Sequence, residues 1–147
     1  MKIDATNIAI IRHLKNGRKS YKQIAEELSI TENTVRSRVN KLIEDGLLEI
    51  SGNIRVDALA GHNLLYLGVK LNTMELQKKA EEFSRLKGVV STGIVTGRYD
   101  LILQVLLNDD YDLLEFITRQ VTTIKDVQTV ESFIVYEGYN LKVPYIL

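Results

Sequence analysis

The chain has 147 residues, 45% hydrophobic and 26% charged, with nineteen basic side chains balanced by nineteen acidic ones. This is an ordinary globular composition able to bury a core, long enough for one large domain or two small ones. The lack of cysteine excludes disulfides and thiolate metal sites, and no apolar run reaches membrane-spanning length. Asp4, Thr6 and Asn7 interrupt the start of the chain, so it reads as having no signal peptide, and a cytoplasmic protein with no membrane partner is expected. Neutral total charge gives no bulk attraction for nucleic acid. Residues 1–50 nevertheless hold nine basic residues against seven acidic ones, so placement matters more than totals.

In chain order, residues 4–15 put Ile8, Ile11 and Leu14 on one face, with Ile3 and Ala9 or Ile10 beside them. This predicts an amphipathic helix stopped by Asn16-Gly17. Ser20 and Gln23 have capping-box spacing for a short second helix through Ile24, Ala25 and Leu28, bounded by Ser29-Ile30. Thr31 then supplies an N-cap and Gly46 a stop for a third helix, whose Val35, Val39, Leu42 and Ile43 form an apolar stripe. Helix, four-residue turn, amphipathic helix is the helix-turn-helix plan, and Ala25 is small enough to let the two helices approach. Ile8, Ile11, Leu14, Ile24, Leu28, Val35, Val39 and Leu42 would close its core.

The polar side of the third helix carries Asn33, Ser37, Asn40, Lys41 and Glu44, flanked by Arg36 and Arg38. Glu44 apart, these are side chains that hydrogen-bond base edges and phosphates. Arg36 can fork onto guanine or a phosphate, and Asn33 and Asn40 can pair with adenine edges or phosphates. Thr31, Thr34 and Ser37 are adaptable, and Arg38 and Lys41 sit where phosphate contact prevails. Ser20, Tyr21 and Lys22 open the preceding helix, where N–H groups and the helix dipole favour a phosphate. Double-stranded DNA is the expected partner. A plain solvated helix face is the blander reading, and the three-helix arrangement counts against it.

After Gly46, residues 47–56 read as extended chain around a turn at Ser51-Gly52-Asn53, either a wing hairpin or a strand leading away. Residues 51–63 are expected to connect a head of residues 1–50 to a second domain of residues 64–147. There an apolar strand (64–71) precedes a helix capped by Asn72 with Glu75 and bearing Leu76, Ala80 and Phe83. Strands 89–96 and 101–107 are joined at Gly97-Arg98-Tyr99-Asp100. Asp109 or Asp110 caps a helix with Leu113, Leu114, Ile117 and Val121 inward, and strand 127–136 closes the pattern. The chain is thus expected to be α+β, a (winged) helix-turn-helix followed by a βαββαβ ferredoxin-like sandwich with helices on one face of an antiparallel sheet. Apolar residues on both sides of the strands predict that a second copy covers the other face. The apolar tail, Tyr139 to Leu147, is expected to pack on something.

The run Asp4…Ile8…Ile11…Leu14, Asn16-Gly17-Arg18, Ile24-Ala25…Leu28-Ser29-Ile30-Thr31, Val35…Arg38-Val39…Leu42…Gly46-Leu47-Leu48 resembles the Lrp/AsnC transcription regulators. So do Gly61-His62-Asn63-Leu64 and Thr96-Gly97-Arg98-Tyr99-Asp100-Leu101. The resemblance covers essentially the whole chain and implies dimers or octamers joined through the sandwich, with an amino acid or similar small effector bound there. Glu49-Ile50-Ser51-Gly52-Asn53 departs from the Gly-Tyr pair often found at the family's connecting strand. Val130 stands where threonine is common, leaving Ser132 as the hydroxyl of the last strand. For an amino-acid effector, Gly97 lets backbone N–H groups approach the carboxylate, and Asp100 can accept from the ammonium. Tyr99 offers a wall and a hydroxyl beside Arg98, and Ser132 completes the pocket from this chain or its partner. A plain hairpin turn is the alternative, since glycine and aspartate are ordinary turn residues.

His13 and His62 lack metal-site spacing, and no Gly-rich phosphate loop or nucleophile–base pair occurs, so neither cofactor nor catalysis is expected. Decarboxylases of the haem-precursor pathway resemble the same two-domain build and provide the enzyme alternative. They would need a basic, histidine-lined pocket, whereas His62, Arg85, Arg98 and Arg119 are scattered in this sequence.

Overall fold

Three helices, α1 (Ala5–Leu14), α2 (Tyr21–Leu28) and α3 (Glu32–Glu44), make up the first of two compact units in the computed structural model. The structure describes residues 3–147, and the units divide between Ser51 and Gly52. Asp4 caps α1 by accepting the Asn7 N–H at 2.7 Å. Ser20 and Gln23 complete the capping box of α2. Thr31 caps α3 by accepting the Thr34 N–H at 3.1 Å. At the far end of α3, Gly46 takes φ +68°, and the N–H groups of Gly46 and Leu47 return to the carbonyls of Ile43 and Leu42. That closure needs a left-handed residue, which glycine supplies without a Cβ clash. The turn between α2 and α3 passes through Ser29 at φ 54°.

The core of this unit is Ile10, Ile24, Ala25, Val35 and Val39, with Leu14, Tyr21, Leu28, Ile30 and Leu48 packed around it; Leu42 is also fully buried. Two expectations change. Helix α1 turns Asn7 and Ile10 inward and leaves Ile8 exposed, because buried Asn7 has a hydrogen-bonding partner on α3. Ile43 is exposed as well, so the stripe of α3 is narrower than the sequence suggests.

The second unit begins with β1 (Asn53–Ile54) and a 3-10 turn (Val56–Ala58), followed by β2 (His62–Leu71), α4 (Leu76–Ser84), β3 (Val89–Ile94), β4 (Leu101–Asn108), α5 (Leu113–Arg119) and β5 (Val127–Ile134). It ends with β6 (Val143–Pro144). The sheet order is β3-β4-β2-β5, antiparallel throughout, as a ferredoxin-like βαββαβ unit requires. Alternation along the strands sends Leu65, Leu67, Val69, Leu101, Leu103 and Val105 under Phe83 of α4 and Phe116 of α5. Helix α5 is capped by Asp112, not by Asp109 or Asp110, and its Leu114 faces outward. The N-cap of α4 is Glu75 without a side-chain bond; Thr73, not Asn72, accepts the Glu75 N–H.

β1 pairs with β6 and does not fold back into a hairpin with residues 47–50. The tail packs, as expected: Val143 is buried with Val56, Leu64 and Leu106, so the chain itself covers one half of the second sheet face. The other half is less covered and presents Tyr66, Ile102, Gln104 and Phe133, with Gly68 buried among them.

Candidate nucleic-acid interface and effector turn

Burial of Val35, Val39 and Leu42 fixes the rotation of α3 and turns its polar residues outward. Asn33, Arg36, Ser37, Asn40, Lys41 and Glu44 line one shallow, solvent-facing groove along the helix. Five of the residues read from the sequence as DNA-contacting are therefore gathered on one surface. Its cations are held in place from within the unit. Arg36 pairs with Glu32 at 2.6 Å and lies over the Tyr21 ring, 5.3 Å from its centroid, which ties the start of α2 to the α3 groove. Lys41 pairs with Asp45 at 2.7 Å, and that bond raises the lysine's pKa and lowers the aspartate's.

Arg38 is different. Its guanidinium donates to Asp4 at 2.7 Å and to buried Asn7 at 2.9 Å, pinning α3 to α1, and the bond from Arg38 holds the Asp4 carboxyl below its ordinary range. The structure puts Arg38 to work inside the fold, apart from the groove. Asp4 and Asn7 carry no DNA-binding signal in the sequence; their only hint is cap spacing at the start of α1. Thr31 and Thr34 share a hydroxyl contact at the start of α3, and Ser20, Tyr21 and Lys22 sit at the start of α2.

The Gly97–Asp100 turn follows β3. Gly97 has φ +115° and open space where a Cβ would point. Asp100 is not a free acceptor: it takes the Leu71 N–H at 2.8 Å and the Lys70 ammonium at 2.9 Å. These bonds, the backbone donor first, lower its pKa and clasp the turn to the end of β2. Tyr99 lies on Gly68, and a Cβ there would come within 2.7 Å of its ring. Its hydroxyl donates to Glu131, whose acceptance of the proton raises the phenol's pKa; Phe133 meets the ring edge-on. Arg98 reaches the same Glu131 oxygen, Oε2, at 3.2 Å.

Arg98, Tyr99 and Glu131 are thus one cluster. Ser132 belongs to the opposite face of β5, beside Leu67, and does not join Tyr99 within the chain. Sequence reasoning missed Glu131; the strand's alternation placed it opposite Gly68, which only the β2–β5 register reveals. Arg85 and Arg119 are each paired along their own helices, and the His62 ring lies tilted against Tyr145, within hydrogen-bond distance of its hydroxyl, so no basic pocket assembles from them.

A model of the Lrp/AsnC ligand binding domain matches residues 64–142, and one described as winged helix-turn-helix DNA-binding matches residues 3–49. The chain belongs to the Lrp/AsnC family. It is a DNA-binding transcriptional regulator of that type. It is 30% identical over 136 residues to an uncharacterized HTH-type transcriptional regulator of Pyrococcus abyssi, spanning 91% of this chain and 86% of that one. The crystal structure of PH0061 is similar, with a TM-score of 0.79, 25% identity, and 97% and 98% of the two chains covered. The feast or famine regulatory protein from M. tuberculosis complexed with L-methionine shares the Lrp/AsnC fold with this chain. Its TM-score is 0.71 at 20% identity, with 94% and 95% of the two chains covered. Among the described residues, no helix is long and apolar enough to cross a membrane.

Proposed function

We propose that this regulator reads a pseudo-palindromic duplex with two copies of α3, paired through the open half of the sandwich sheet, and that an amino acid bound at the 97–100 turn adjusts the pairing. The residues up to about 50 form the reading head and residues 64–147 the effector and association domain. The observation that carries the reading is the single groove along α3 in which Asn33, Arg36, Ser37, Asn40 and Lys41 face solvent together. Two such helices, roughly one helical turn (about 34–36 Å) apart, meet successive major grooves on one side of the duplex. Arg36 discriminates between bases, and Lys41 neutralises phosphate.

For the effector, the open backbone at Gly97 suits a carboxylate and the Tyr99 ring suits an apolar side chain. Glu131, whose two contacts both fall on Oε2, offers Oε1 to the ammonium. Asp100 serves by shaping the turn. Ser132, on the other face of β5, can reach such a ligand only from a partner subunit. L-Methionine, bound by the mycobacterial relative of the same fold, is the first ligand to try.

The test is a gel-shift series on a duplex selected from a random pool and on a scrambled duplex. Arg36→Ala should lose affinity mainly for the selected duplex, and Lys41→Ala should weaken both about equally. Equal losses for both variants on both duplexes would remove the reading role of α3. Calorimetry with the twenty amino acids at millimolar concentration tests the effector; no heat from any of them ends that half of the proposal.

A further inference from the structure

The cations of the head fall into two sets with opposite electrostatic histories. On α3 and its cap, three cations (Arg36, Arg38, Lys41) meet three carboxylates (Glu32, Glu44, Asp45), and each of the three cations is already in an ion pair. The reading helix is locally neutral. The stretch from Arg12 to Lys22, by contrast, holds Arg12, Lys15, Arg18, Lys19 and Lys22 with no carboxylate among them. Of these, Lys19 alone is engaged, at 2.6 Å to Glu27; among the described residues Arg12, Lys15, Arg18 and Lys22 enter no ion pair and are exposed.

The stretch is also ordered into a surface. Asn16 caps the end of α1 by donating its N–H to the His13 carbonyl. Its side-chain oxygen accepts the Arg18 N–H at 3.2 Å, and its carbonyl accepts the Lys19 N–H at 3.0 Å. Arg12, His13, Lys15, Asn16 and Lys19 thereby line one shallow depression. Three residues beyond Arg18 the chain enters α2, where the Tyr21 ring lies under the Arg36 guanidinium. Along the chain, Lys19 and Ser20 lead from the depression to Tyr21, whose ring joins the edge of the α3 groove at Arg36, with Lys22 beside it.

We propose that this collar, Arg12, Lys15 and Arg18 with Lys22, is a second duplex-binding site, a phosphate track that grips the DNA backbone beside the groove read by α3. The proposal rests on DNA reading by the head and divides its labour. A reading helix whose cations are already compensated gains little from phosphate neutralisation, because each phosphate must displace a carboxylate. The unpaired collar releases counterions from the duplex at no such cost, and counterion release dominates sequence-independent affinity. Discrimination then resides on α3, where Lys41 gives a phosphate contact at the expense of its bond to Asp45, and most of the grip on the collar. A chain of zero net charge thus keeps a strong local attraction for DNA.

The experiment uses the full chain and its R12Q/K15Q/R18Q variant, both titrated with the selected and the scrambled duplex over a range of salt concentrations. Each phosphate contact contributes about 0.9 to the slope of log affinity against log salt. The variant's slope should therefore fall by roughly 2–3 on both duplexes, while the ratio of selected to scrambled affinity stays the same. The three side chains are exposed, so the thermal melt should be unmoved and a folding defect is separable. An unchanged slope overturns the collar and leaves it to an acidic protein partner; a fallen selectivity ratio overturns its backbone-only role. If the unmodified chain shows no salt-dependent duplex binding at all, what fails is the reading of the head as a DNA grip, which is distinct from failure of the collar.

Discussion

On the helix side of the four-stranded sheet, Leu67, Val69, Leu101, Leu103 and Val105 are fully buried beneath Phe83 and Phe116. One residue along the same strands, the other side presents Tyr66, Gly68, Lys70, Ile102 and Gln104, and across from them Glu131 and Phe133. The first face is aliphatic and closed within the chain. The second is half covered by the tail, and over the rest it carries aromatic, ionisable and small residues, with Tyr99 laid on Gly68. Identical backbone thus supports one face closed within the chain and one face left partly open. Only strand parity separates the two.

Four changes would break or sharpen that contrast. Leu103→Ala, on the closed face, should cost the most, about 2–5 kcal/mol in denaturant unfolding; a loss well under 1 kcal/mol would mean that this face is loosely packed. Gly68→Ala comes next at roughly 1–3 kcal/mol, because the new methyl meets the Tyr99 ring and must push it off Glu131. The displaced ring should change the Tyr99 signal in NMR, and an unchanged signal would contradict the crowding. Asp100→Asn should lower the melting temperature by less, and in a pH-dependent way. The folded pKa of Asp100 is depressed by the Leu71 N–H and the Lys70 ammonium. Its contribution is therefore complete above the unfolded value of about 3.9 and is lost as pH falls through the folded one. The unmodified chain should lose stability below about pH 4 more steeply than the variant; parallel curves would discount the clasp. Tyr99→Phe should change stability least, keeping the ring and losing only the bond to Glu131. Its effect should appear as L-methionine binding weakened severalfold in calorimetry, and unaltered binding would exclude the hydroxyl from the site.

Much of the head was legible because its signals are local. The caps Ser20 and Thr31, the stop at Gly46 and the spacing of Val35, Val39 and Leu42 act within a turn or two of helix. The face of α1 was misread where a polar residue goes inward: Asn7 is buried because Arg38, thirty-one positions away, supplies its hydrogen bond. The βαββαβ order follows from periodicity, while the bonding within the 97–100 turn does not. Asp100 reads as a free acceptor until the folded chain brings Leu71 and Lys70 beside it, and of the two origins open for Ser132, this chain or its partner, register removes the first by putting Glu131 on that side. A one-residue step along a strand exchanges its faces, and composition carries no record of that step.

The pairing of β1 with β6 joins Asn53 to Pro144 across nearly the whole second unit, through two residues on each strand, one of them a proline with no N–H to give. Loop closure over that length carries an entropic cost, offset by the burial of Val143 with Val56, Leu64 and Leu106, so this rung is expected to close after the four-stranded sheet has formed. It should also open before the four-stranded sheet does. Amide exchange at Ile54 should proceed through a local opening well below the global unfolding free energy, while the amides of β2 wait for the whole unit to unfold. On that expectation β1 works as a latch that releases and resets while the four-stranded sheet stays folded.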